Sequence, residues 1–236
     1  MIPSYSEAAF GNDEWLKQLE NFSPETKTSV SAIAEFLMSG SALAPCEKFL
    51  FASAISAVKG RGRDTAIWMD RALAAGLQSD AARHGAALML LSRGFYVSHL
   101  MLESIPPTGN EAHNTPVAPS PGRDEIFQYF TQVFGELPER VSLLGEYVPS
   151  ALVFYHLLRK SGLEAGALEP RTSELMLVAV NAAECQRDYI RIHAEGALRK
   201  GATEAQLVEA CVCAIPFAGV ASWFPAAEAI LSLRTR

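Results

Sequence analysis

The sequence predicts an all-α fold made of two tandem helical repeats that form one compact unit. Three observations predict it. Apolar residues recur at helical spacing, with prolines at helix starts and glycines just past helix ends, and no run shows clean apolar–polar alternation or an Asn-Gly hairpin signal. The chain matches itself without gaps at an offset of 125 residues, which carries Pro45 onto Pro170. Between the two matching parts lies IPPTGNEAHNTPVAPSPG, with five prolines and few apolar groups, which reads as a linker.

In chain order, Trp15 to Leu19 reads as a short helix, and a helical pattern runs from Ser23 to Gly40. Ala44-Pro45 opens the next helix, since proline suits the first helical position, and this one runs to Gly60. A third spans Asp64 to Ala75 and stops at Gly76; a fourth spans Asp80 to Glu103, with Gly94 as its weak point. Patterning resumes at Asp124, pauses at Glu136-Leu137-Pro138 and continues from Pro149 to Lys160. Pro170 opens an apolar run, Leu175 to Ala183, too continuous for a surface helix. A helix from Gln186 to Lys200 follows and ends at Gly201; Thr203 and Gln206 form a capping box for another, Ala205 to Ile215. The division is residues 1–103 as the first repeat, 104–123 as linker and 124–236 as the second repeat.

The repeat acts as an internal control. Pro24 falls on Pro149, Ala42-Leu43-Ala44-Pro45 on Ala167-Leu168-Glu169-Pro170, Leu50 on Leu175, Gly76 on Gly201 and Gly94 on Gly219. These are positions a fold needs. Other positions diverge: Glu174 faces Phe49 in the alignment, Tyr189 faces Asp64, His193 faces Trp68 and Gly196 faces Arg71. The second copy thus reads as the working site and the first as scaffold, although Asp64, Arg71 and His84 leave open a different polar site in the first. Helical spacing puts Tyr189, Ile192, His193, Gly196 and Ala197 on one buried face, opposite Arg191, Glu195 and Arg199. Glu174 reads as a first-turn acid in an otherwise apolar helix. A histidine on such a face is commonly a core residue bonded to a carbonyl; its replacement by Trp68 and the small Gly196 beside it favour a functional one.

Composition narrows the classes. With 236 residues, 49% apolar, the chain can bury a large core. A charged fraction of 19% and a net charge of −6 argue against a nucleic-acid surface. No segment reaches the roughly 18 apolar residues of a membrane span, and the first residues have no basic-then-apolar leader pattern. Cys46, Cys185, Cys211 and Cys213 do not form a disulfide framework, so the expectation is a cytoplasmic protein with reduced thiols. The five histidines have no metal-ligand spacing, and neither a metal nor another cofactor is expected.

Residues 170–226 resemble the carboxymuconolactone decarboxylase family, which includes the alkylhydroperoxidase D-like proteins. The resemblance rests on Glu174-Leu-Met-Leu-Val-Ala-Val, the helix DYIRIHAEGALRKGAT centred on His193, and the glycine-containing FAGVASWFPA. The hydroperoxidase branch carries a Glu, then Cys-x-x-Cys, then a His four residues on. Here Glu174 and His193 match, but Gln186 and Tyr189 stand at the cysteine positions, and Cys185 is one residue away with no partner at that spacing. The resemblance implies an all-helical, oligomeric protein; two units in one chain make a homotrimer the expected assembly. It implies a lyase that decarboxylates a small carboxylated lactone or unsaturated ring acid, with His193 as acid/base and Glu174 as its orienter or as the base itself. Tyr189, Gln186, Cys185, Gly196 and Trp223 are candidate pocket residues. A proton-transfer isomerase, a thiol-dependent hydroperoxidase using Cys185 and a non-catalytic binding protein are the alternatives. Geometrically, the helices carrying Glu174 and His193 should pair antiparallel, with the carboxylate within hydrogen-bond reach of the ring, beside a cavity at Gly196. Phe49 and Trp68 should fill the matching space in the first copy.

Overall fold

The computed structural model describes residues 14–107, 119–164 and 166–234, and among these every regular element is a helix and none is a strand. The helices are α1 (Glu14–Glu20), α2 (Pro24–Met38), α3 (Pro45–Val58), α4 (Gly62–Ala74), α5 (Ser79–Arg93), α6 (Phe95–Glu103), α7 (Arg123–Phe134), α8 (Glu139–Tyr147), α9 (Pro149–Leu163), α10 (Pro170–Ala183), α11 (Arg187–Arg199), α12 (Glu204–Val212), α13 (Ile215–Ala218) and α14 (Trp223–Leu231). Most of the Pro-rich linker, 108–118, lies outside the described residues.

Two helices, α3 and α10, form the centre. Each opens on a proline, and every residue of α10 from Thr172 to Ala183 is buried. A helix apolar on all sides must sit inside the bundle. Accordingly, α3 packs against α10, with α4 folded back on α3 and α11 on α10. α5, α6, α12 and α14 complete one continuous core that includes Leu50, Phe51, Met69, Met89, Leu175, Met176 and Ile230. A second, smaller core of Ile126, Phe130, Val141 and Leu152 holds α7, α8 and α9 together.

Helix boundaries recur at the 125-residue offset. α2, α3 and α4 correspond at both ends to α9, α10 and α11. Left-handed turns recur as well: Gly76 matches Gly201, Gly94 matches Gly219, and Gly60 (φ 72°) matches Cys185 (φ 57°). At the last pair the same cap forms. The Gln186 amide donates to Asn181 O and the Cys185 amide to Ala182 O, as Arg61 and Gly60 do to Ser56 O and Ala57 O. The counterpart of α5 is split into α12 and α13. Pro216, where α5 has Leu91, lacks the N–H that would donate to Val212 O, so α12 stops at Val212 and not at Ile215 as the pattern predicts. The fourth predicted helix likewise breaks at Gly94 into α5 and α6.

The halves anchor each other. Glu209 of α12 accepts from the amides of Ala42 and Leu43, both at 3.0 Å, in the loop before α3. At the matching place His84 of α5 accepts from the Leu168 amide at 2.9 Å, in the loop before α10. That bond requires an unprotonated Nδ1, which leaves Nε2–H to donate to Ser161 O, also at 2.9 Å. Behind Glu209 sits the fully buried Lys48, 3.2 Å from the carboxylate and bonded to Phe36 O, Ser39 O and Ser41 Oγ. Burial raises the Glu209 carboxyl, but the Ala42 amide, Ser41, the Leu43 amide and Lys48 outweigh it and hold it below its ordinary value. Lys48→Met should therefore leave a half-buried carboxylate without its cation. We expect a loss of roughly 3 kcal/mol in urea-unfolding free energy, checked by denaturation curves at neutral pH.

Candidate functional site

The α10–α11 hairpin builds the site. α10 puts Glu174, Leu177 and Asn181 along one stripe, at spacings of three and four residues. The tight turn at Cys185 sends α11 back antiparallel, so that His193 and Gly196 come to lie over Glu174. Glu174 lies in the second turn of α10, not the first as the sequence suggests, because the helix begins at Pro170. No helix-end amides then serve its charge, and side chains must do so.

They do so on both oxygens. His193 Nδ1 is 2.8 Å from Glu174 Oε2, and Lys200 Nζ is 3.0 Å from Oε1. Lys200 also donates to Leu163 O at 3.0 Å, tying the end of α9 to the same point. Gly196 makes room: a Cβ there would stand 2.7 Å from Glu174 Cδ. The Glu174 side chain is only 7% exposed. Burial pushes its carboxyl up, but the hydrogen bond from His193, the His193 charge and Lys200 together outweigh burial and hold it below its ordinary value. An ionised acceptor at Oε2 assigns the proton to His193 Nδ1 and leaves Nε2 as the ring nitrogen for a ligand.

Both groups face a cavity of about 680 Å³. Its wall includes Leu177, Asn181, Gln186, Tyr189, Ile192 and Gly196 from the hairpin, Tyr155, Arg159 and Leu163 from α9, Phe134 and Arg140 from the α7–α8 region, and Leu91 to Arg93 from the end of α5. Arg93 reaches in from the first half. It donates to Glu184 Oε2 and to Asn181 Oδ1, each at 2.8 Å. Arg140 and Arg159 both lie over the Phe134 ring, at 5.2 and 5.3 Å.

Several sequence expectations need correction. Of the predicted face of α11, Gly196 and Ala197 are buried, and Ile190 and Ala194, outside it, are buried with them; Tyr189 is 56% exposed and stands at the cavity mouth. The predicted face is the cavity side of the helix, which is why His193 and Ile192 are only partly buried. Trp223 does not line the cavity; it packs against the main core at the start of α14. Cys185 occupies the turn itself, exposed, and is also absent from the wall, while its neighbour Gln186 is on it. All four cysteines are free thiols. Lys200 was missed, although it lies seven residues after His193 and four after Gly196, on the same stripe. Arg93, Arg140 and Arg159 come from distant segments, and no local pattern could place them together. Among the described residues no group of three or more His, Cys, Asp or Glu side chains could hold a metal ion.

In the first half, Phe49 and Trp68 stand at the positions of Glu174 and His193. Both are buried, with rings stacked at 5.9 Å, and Arg71, at the Gly196 position, lies 4.8 Å over Trp68. Rings thus fill the space that the charged pair occupies in the second half. Asp64 is exposed and pairs with Arg61, and His84 serves the loop described above; the three do not converge.

Residues 149–232, from α9 through α14, match the carboxymuconolactone decarboxylase family model. No curated protein matches the sequence. Among solved structures, the chain is similar to one from Burkholderia xenovorans, provisionally described as a gamma-carboxymuconolactone decarboxylase subunit. The likeness has a TM-score of 0.61 and 19% sequence identity, over 98% of this chain and 96% of that one, and at that identity it speaks for the fold alone.

The depressed Glu174 carboxyl has a consequence for acid stability. A carboxyl held lower in the folded state than its ordinary value of about 4.5 contributes stability that is present above that value and lost as pH falls through the folded one. Glu174→Gln should remove that contribution. Melting temperatures measured between pH 3 and 7 should fall more shallowly with acid in the variant than in the parent; parallel curves would contradict the assignment.

Proposed function

We propose that this chain is a cofactor-independent decarboxylase of a small carboxylated lactone or unsaturated ring acid, a reading supported by the match of residues 149–232 to the carboxymuconolactone decarboxylase family model. The observation that carries the reading is the Glu174–His193 pair, a buried carboxylate bonded to a half-buried ring on the wall of a cavity, with Lys200 on the other carboxylate oxygen. A carboxylate β to a carbonyl, or vinylogous with one, can leave as carbon dioxide, its bonding electrons passing into an enolate. The protein must then deliver a proton to carbon. His193 is the group for that step: Nε2 first takes a proton from solvent through the cavity mouth to give the imidazolium, then passes it to carbon and returns to the Nδ1–H form. Glu174 fixes the ring's tautomer and supports the imidazolium, as the acid does in a general base–orienter pair. Both of its oxygens are already bonded, which favours the orienting role over direct proton abstraction. Proton-transfer isomerisation would use the same groups. Decarboxylation is preferred on family grounds. Cys185, outside the cavity wall, supports a peroxidase reading poorly.

We also propose a homotrimer, in which Phe224, 62% exposed at the start of α14, is covered by a neighbouring copy. Light scattering should return three chains; a stable monomer at micromolar concentration would refute it.

The catalytic reading is tested by turnover. On a panel of carboxylated lactones and unsaturated ring acids, His193→Gln should lower kcat by about 100- to 10,000-fold with the fold intact. Cys185→Ser should stay within about twofold of the parent. Loss of all activity in the cysteine variant would replace the acid–base mechanism with a thiol one.

A further inference from the structure

We propose that Arg140 and Arg159 form a carboxylate-binding subsite in the cavity, which seats an acidic group of the ligand other than the one that reacts. Only the last clause rests on the decarboxylase reading; the subsite itself stands on the following geometry.

Both arginines line the cavity that holds Glu174 and His193. Their guanidinium carbons lie 5.2 and 5.3 Å from the Phe134 ring, so one aromatic ring packs against both cations. Two cations on one cavity wall favour an anionic ligand. Among the described residues neither arginine pairs with a carboxylate. Three acids line the same wall: Glu174, held by His193 and Lys200, Glu184, held by Arg93, and Asp188, which pairs with neither Arg140 nor Arg159. Arg159 Nε is buried without a hydrogen-bond partner. An unsatisfied buried N–H of this kind costs stability unless a ligand uses it. The planar guanidinium fork matches a carboxylate in two parallel bonds.

The comparison between halves points the same way. At the 125-residue offset, Arg140 and Arg159 fall on Trp15 and Ala34, just as Glu174 and His193 fall on Phe49 and Trp68. The half without the carboxylate–imidazole pair also lacks both arginines, although α2, α3 and α4 run between the same limits as α9, α10 and α11. The arginines thus go with the site and not with the fold.

The role within a decarboxylation follows from charge. An ion pair stabilises a carboxylate, whereas departure as carbon dioxide requires it to lose its charge. The group held by Arg140 and Arg159 is therefore retained in the product, and the group lost lies toward His193.

The test is equilibrium binding, independent of turnover. Calorimetric titration at low ionic strength with benzoate, its neutral isostere benzamide and inorganic phosphate should show benzoate binding more tightly than the other two. Arg140→Gln/Arg159→Gln should weaken benzoate by about tenfold or more and leave benzamide unchanged. Arg159→Lys, which keeps the charge and loses the fork, should fall between and guards against misfolding of the double variant. Cys185→Ser, outside the cavity wall, should bind benzoate as the parent does, and since binding is read without turnover, failure of the catalytic reading would leave this result standing. Equal benzoate binding by parent and double variant, or none by the parent, overturns the subsite. Phosphate binding as tightly as benzoate overturns the commitment to a carboxylate.

Discussion

A carboxylate sealed inside an apolar helix is the constraint on which the second half of this protein depends. Every neighbour of Glu174 along α10 from Thr172 to Ala183 is buried. An isolated ionised carboxylate in such a medium is untenable, and a protonated one would give up the salt bridge. The structure resolves this with two donors from one stripe of α11 and its C-terminus, His193 and Lys200, and with a glycine that lets the helices approach. The register of the α10–α11 hairpin is therefore set by polar geometry as well as by apolar packing. Sliding α11 by one turn would bring neither donor to its oxygen.

The first half fills the same slot by other means. Phe49 and Trp68 stack and Arg71 covers the indole, with no carboxylate buried at the centre of the hairpin. The helix pair keeps the same limits in both halves, so the fold does not need the charged triad. Burying it is a cost the second half bears for some other reason. The interlock between halves differs in kind: Glu209 and His84 sit at equivalent places and grip equivalent loops, one as a carboxylate backed by Lys48, the other as a neutral imidazole. Each half thereby orders the loop that leads into the other's central helix.

Much of this was legible in the sequence, and the parts that were not have identifiable causes. Helix starts at Pro24, Pro45, Pro149 and Pro170 and stops at Gly76, Gly94 and Gly201 are local signals, and they place the elements well. The meeting of Glu174 and His193 follows from counting residues to either side of a short turn. The buried side of α11 includes Gly196 and Ala197, as periodicity expects, but also Ile190 and Ala194, so the helix is turned toward these and Tyr189, Ile192 and His193 look into the cavity; periodicity alone does not say which edge faces the core. Trp223, a candidate for either core or pocket from the sequence, packs half-buried against the core. Arg93, Arg140 and Arg159 could not be found at all. Their convergence is a property of how α5, α8 and α9 pack around the hairpin, and nothing in the local sequence encodes it.

The two ends of the cavity then divide the electrostatic work. At the floor, Lys200 offsets the Glu174 charge, so the carboxylate can stay ionised without drawing a proton from the cavity, and His193 keeps Nδ1–H bound and Nε2 open. At the outer wall, Arg140 and Arg159 stay uncommitted on Phe134 while Arg93 is bound to Glu184 and Asn181. Were Glu174 unpaired, it would repel any organic acid that entered. Were Arg140 and Arg159 paired like Arg93, the wall would have no charge to spare. A chain with a net charge of −6 can thus present a locally cationic cavity, because its buried acid is neutralised from behind and its cations are left facing the space.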